Sequence, residues 1–127
     1  MRPEQHIQQV PRRINYADQR MGEVAKLDGI AAQLMAVQRA WNAPSREHHL
    51  IAALAASRAV WHGIQSALAE GALELPPEVQ HNLLILSVYA DSKIGECELS
   101  PHADTLGSLI ALTRTLAGSL REWREAA

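Results

Sequence analysis

A chain of 127 residues fits one domain and is too short for two of ordinary size, so residues 1–127 are read as a single unit. Hydrophobic residues make up 47% of it and aromatics only 4%, with no Phe, so a core must be built from Leu, Ile, Val and Ala, a diet that suits helices. The formal charge of -2 lacks the clear Lys and Arg excess of a nucleic-acid binder.

That charge is unevenly spread, with +2 over residues 1–26, -5 over 27–111 and +1 over 112–127. Each surplus is small and is screened over about 10 Å at ~0.1 M salt, so it reads as solvated surface. Cys97 is the single cysteine, which excludes an intrachain disulfide and suits a reducing compartment. The start, Met1 to His6, has no apolar signal core. The longest apolar run, Leu83 to Leu86 and on through Val88, is far below the roughly 18 residues of a membrane span. A soluble, cytoplasmic protein is expected.

Residues 1–14 hold two Pro and three Gln among charges and read as a poorly ordered arm or a short helical start. From about Tyr16, apolar positions including Val24, Leu27, Ala31 and Leu34 recur at helical spacing as far as Trp41, with Gly29 a weak point inside. Asn42-Ala43-Pro44 ends that helix. Ser45 offers an N-cap to a second, whose stripe Leu50, Ile51, Leu54, Ser57, Trp61, Ile64 and Leu68 steps by three and four until Gly71 stops it.

Pro76 and Pro77 open a third helix, where a missing amide proton costs nothing, and Glu78 suits its positive end. This helix is apolar nearly all round. Val79, Leu83, Leu86 and Ala90 make one face, while Leu84, Ile85 and Val88 make a second that is either core or a groove for a partner helix. A buried strand over residues 83–90 is the competing reading. Ser100-Pro101 repeats the cap-then-proline signature before a fourth helix, with Leu106, Leu109, Ile110, Thr113, Leu116, Ala117, Leu120 and Trp123 as its stripe. An all-α, single-domain antiparallel bundle of about four helices with a short N-terminal arm is the simplest solution.

Catalytic and metal chemistry find little support. Adjacent His48 and His49 point about 100° apart on a helix, whereas two ligands from one helix need a three- or four-residue spacing. Cys97 lies between Glu96 and Glu98, whose charge raises a thiol's pKa and blunts it. Gly107 and Gly118 are isolated in a helical pattern and form no phosphate loop. No catalytic residue, cofactor or metal is expected, and the chain reads as a binding protein and not an enzyme. Trp61 falls on its helix's stripe and belongs to the core, while Trp41 and Trp123 at helix ends serve equally as core edge or interface anchor.

Several short motifs occur in a set order: Arg58-x-x-Trp61, then Leu75-Pro76, then Asn82-Leu83-Leu84-x-Leu86-Ser87, then Leu109-Ile110 and Thr113-Arg114-x-Leu116-Ala117. Together they resemble FlaF, the flagellar biosynthesis regulator family of α-proteobacteria, over about residues 45–122. Pro11-Arg12 through Leu34 is similar to the family's first segment more loosely. Ser57, Thr113 and Thr115 stand where the family tends to carry Asn. Hydroxyls thus replace amides able to orient a partner's backbone, which bears on partner specificity more than on fold.

The resemblance implies a small helical cytoplasmic protein that binds flagellin as a secretion chaperone. It also implies that the protein couples flagellin synthesis to flagellar assembly, working alongside the regulator FlbT. Flagellin's amphipathic terminal helices would suit an apolar groove. The residues expected to form it are Leu84, Ile85, Val88 and Tyr89, with Leu112 and Leu116 across from them. Two other readings stay open: an RNA binder acting on a flagellin message through Arg12, Arg13 and Arg20, and an unrelated helical adaptor.

Overall fold

The computed structural model describes residues 16–122. They form four helices: α1 Tyr16–Arg39, α2 Arg46–Ala69, α3 Pro77–Leu99 and α4 Ala103–Glu122. The short connections return each helix against the one before it. The expected arm, with Arg12 and Arg13, and the expected stripe residue Trp123 lie outside the described residues.

The helices pack in a ring. Contacts join α1 to α2, α2 to α3, α3 to α4 and α4 back to α1, while among the described residues the backbones of the diagonal pairs α1–α3 and α2–α4 nowhere bring two Cα atoms within 8 Å. This is the all-α bundle that the helical periodicity predicts, and residues 83–90 are helical, which rules out the strand reading. Along the axis run Leu27, Leu34, Leu54, Trp61, Ile64, Ile94, Leu106, Leu109 and Leu116, all essentially without exposure. Aliphatic side chains with few polar atoms fill this space densely, and each is worth about 1.5–3 kcal/mol when fully buried.

Helix ends show which signals the sequence carries faithfully. At the end of α2, Gly71 adopts φ +71, which a side chain would oppose. The amide of Ala72 then reaches the Ala67 carbonyl at 2.9 Å and that of Gly71 reaches Leu68 at 3.2 Å, the paired bonds of a Schellman stop. Three residues on, Glu74 takes φ +46, and this reversal lets Leu73 and Leu75 on either side both turn inward to the core. Gln80 donates its side-chain amide to the Leu75 carbonyl at 2.7 Å and ties the loop to the first turns of α3. Pro76 takes the N-cap position and Pro77 is the first helical residue, as the Pro-Pro signature requires.

Two expected caps differ. Ser45 occupies the N-cap position of α2, but its hydroxyl makes no capping bond, because the residue has turn-like angles (φ -88, ψ 4) and not the extended ones that aim an oxygen at the first amides. Ser100 does not start α4. It is instead the C-cap of α3, with its amide bonded to the Glu96 carbonyl at 2.9 Å, and α4 begins two residues after Pro101. The capping acceptor there is His102, whose Nδ1 receives the Asp104 amide at 3.4 Å. Gly29 does not interrupt α1, which runs through it unbroken.

Leu83 and Ile85 are two residues apart on α3, yet one is buried and the other mostly exposed. We expect Leu83→Ala to lower unfolding free energy by about 2–5 kcal/mol and Ile85→Ala by no more than about 0.5 kcal/mol, as measured by urea denaturation followed by circular dichroism.

Candidate docking face on the third helix

Two stripes run along α3. Leu83, Ser87, Ala90, Ile94 and Cys97 point into the bundle. On the other side, Leu84, Ile85, Val88 and Tyr89 are 42%, 55%, 64% and 49% exposed. The ring explains why no described helix covers them, since α2 and α4 flank α3, α1 lies across the core from it, and its outward side has no helix against it. The second apolar face is therefore not core: among the described residues, these four make up most of the exposed large apolar side chains and occupy two turns of one helix. Contiguous exposed apolar area of this kind marks an interaction surface more often than scattered single residues do.

The two partners expected on α4 are placed differently. Leu112 is half-buried and packs against the core. Leu116 is 1% exposed and belongs to the core outright, so it offers no surface to a docked chain. The helical stripe of α4 explains this, because Leu116 continues the inward series of Leu106, Leu109, Ile110 and Thr113. The face thus belongs to α3 and is not a cleft between α3 and α4 built on Leu116.

Ser57 and Thr113, where the family tends to carry Asn, are also fully buried, and both hydroxyls donate to carbonyls of their own helix. Ser57 reaches Ala53 at 2.9 Å, and Thr113 reaches Leu109 at 2.8 Å. They cannot orient a partner's backbone from there, so these substitutions bear on the core and not on a docking surface. Thr115 is exposed. Trp61 fills the middle of the bundle with no exposure, and its indole N–H finds no protein acceptor, a burial that costs about 1–3 kcal/mol. Trp41 is half-buried under the Arg46 guanidinium, 4.2 Å from its ring centroid, and so forms the edge of the core.

Polar rungs hold α3 against α2. Arg58 donates from both terminal nitrogens to the Glu98 carboxylate at 2.5 and 2.7 Å. Nearer the middle, Gln65 donates to Ser87 Oγ at 3.0 Å, and His62 Nε2 lies 3.4 Å from Asp91. Periodicity could not have paired these residues, because they come from two helices and match only once the register is set.

The remaining chemistry-bearing residues are ordinary. His48 and His49 are exposed, with rings edge to face at 5.8 Å. Among the described residues, no group of three His, Cys, Asp or Glu side chains could hold a metal ion. Burial pushes the Cys97 thiol up, and Glu96 and Glu98 add to that, so the thiolate is disfavoured. No described helix is long and apolar enough to cross a membrane.

A family model described as "Flagellar protein FlaF" matches residues 6–120. The chain belongs to the FlaF family. No curated protein and no solved structure matches it. Membership makes this a flagellar protein, and Arg58-x-x-Trp61, one of the runs on which the resemblance rests, has a structural account: Trp61 is a core centre, and Arg58 ties α2 to α3 through Glu98.

Two outcomes follow from this geometry. The hydrogen bonds from Arg58 hold the Glu98 carboxyl below its ordinary range, so the pair's stabilisation is fully present above that range and fades as pH falls through the lowered value. Both side chains are more than a third exposed, so a double-mutant cycle of Arg58→Ala and Glu98→Ala should give a coupling of only ~0.2–1 kcal/mol at pH 7, smaller at pH 3 and in high salt. For Cys97, a disulfide-exchange reagent at pH 8 should label the folded protein at a rate set by its opening, and labelling should become immediate in denaturant.

Proposed function

We propose that this FlaF-family chain binds flagellin as a secretion chaperone and couples flagellin synthesis to flagellar assembly. The observation that carries the reading is the uncovered apolar surface of Leu84, Ile85, Val88 and Tyr89 on a helix whose opposite side is already committed to the core. A surface of that shape fits one helix of a partner, and flagellin's amphipathic terminal helices need such a cover before they assemble. Binding that couples to folding of a flagellin segment keeps the affinity low enough for release at secretion. FlbT is the regulator with which such a protein would work.

The test is co-elution of the purified protein with monomeric flagellin in size-exclusion chromatography. Ile85→Asp and Val88→Asp should each weaken the complex at least tenfold while leaving the helical circular dichroism and thermal midpoint near wild type, because neither side chain contributes to the core. Failure of the wild-type protein to retain flagellin would end the proposal.

A further inference from the structure

The outward side of α3 has a period of its own. Ile85, Val88, Ser92, Gly95 and Leu99 follow one another at steps of three, four, three and four, the spacing of a coiled-coil seam. The inner residues Leu83, Ser87, Ala90, Ile94 and Cys97 have the same spacing on the opposite side. The outer row is graded in size. Two large side chains come first, then Ser92 and Gly95, and then Leu99, which is 91% exposed, so the row is large at both ends and low in the middle. A β-carbon at Gly95 would meet nothing within 4 Å, so the depression is open to solvent.

The flanks of this row carry its charge. Leu84, Asp91 and Glu98 border one side and Tyr89 and Glu96 the other, and these are the positions from which a coiled-coil helix chooses its partner. All three carboxylates have a neighbour on their own chain: His62 for Asp91, Lys93 for Glu96 and Arg58 for Glu98. Glu96 and Glu98 are the more exposed members of their pairs, 53% against 21% and 40% against 35%, while Asp91 at 31% is the more sheltered. The C-terminal end of the helix dipole adds to the negative potential there.

We propose that the outer side of α3 is a preformed half of a two-helix coiled coil, and that its occupant is an amphipathic helix of about three heptads with Lys or Arg bordering its apolar row. From Ile85 to Leu99 the seam spans about 21 Å, a length that a helix of that size covers. A large apolar side chain of the partner enters above Ser92 and Gly95. A second copy of this chain fits poorly, because its own seam would set Asp91, Glu96 and Glu98 against carboxylates of like sign. The proposal rests on α3 being the docking face of the proposed chaperone and adds the register and charge of what it takes.

The experiment uses the full chain and three probes: monomeric flagellin, and two designed 21-residue helical peptides with Leu in the seam that differ only in carrying Lys or Glu at the bordering positions. Fluorescence anisotropy should show the Lys peptide binding at least fivefold tighter than the Glu peptide, with the difference collapsing in ~0.5 M salt, where charges are screened within a few ångströms. Gly95→Leu should weaken the Lys peptide and flagellin at least tenfold while leaving the melting temperature unchanged or higher, since the site is open and Leu is the better helix former.

Equal affinity for the two peptides, or indifference to Gly95→Leu, would overturn the seam even if flagellin bound. Discrimination between the peptides without any binding of flagellin would uphold the seam and overturn the flagellin reading. Concentration-dependent association of the protein alone, abolished by Val88→Asp in sedimentation experiments, would assign the seam to a second copy and overturn the proposal.

Discussion

The bundle depends on one contact between the two helices farthest apart in the chain. The packing of α1 on α4 is the most extensive helix pair, and it closes what would otherwise be an open row of three hairpins. Through it Leu27 and Leu34 meet a core that includes Leu106, Leu109 and Leu116, and Arg121 reaches across to Asp28 at 2.5 Å. The ion pair is half-exposed and contributes little by comparison with the aliphatic burial. Closure has a geometric consequence. Four helices in a ring have four inner sides, and the outer side of each is left to water. Among the described residues, α1 and α2 each show one exposed large apolar side chain, Met21 and Ile51, whereas α3 shows Leu84, Ile85, Val88, Tyr89 and Leu99.

Much of this was legible in the residues. Steps of three and four located all four helices, Pro76-Pro77 and Gly71 marked ends that the backbone confirms, and Trp61 had to be core because it lies on the stripe of α2. Periodicity falls short where two surfaces of one helix are equally apolar. For residues 84–89 it supplied the second face but not its surroundings, which are set by the place of α3 in the ring, with α2 and α4 beside it and no described helix outside it. Leu116 was misplaced for another reason: it continues the stripe of α4 that the spacing already turns to the core, and the groove reading set it against α3.

Ser45 and Ser100 teach something different about local signals. Both are residue types that cap helices, and both stand beside a proline, yet one has turn-like angles and the other finishes a helix instead of starting one. Capping needs a backbone angle as well as an oxygen, and the angle comes from how the loop is drawn between two packed helices. His102 does the work at α4 because the loop delivers its imidazole to the Asp104 amide. The buried hydroxyls of Ser57 and Thr113 are similar: a polar residue at a core position remains tolerable because a carbonyl one turn back accepts its proton.

The paired rows on α3 also give a meaning to the polar rungs between α2 and α3. A helix with matching apolar rows on opposite sides has two orientations of similar hydrophobic content, related by a half-turn about its own axis. Apolar burial alone distinguishes them weakly. Gln65 to Ser87 and Arg58 to Glu98 exist in only one of the two, and in the other Ser92 and Gly95 would take the inward side, with Glu96 at its border. These modest bonds act as a rotational lock: their value lies less in how tightly they hold α3 than in deciding which of its two faces is left outside the bundle.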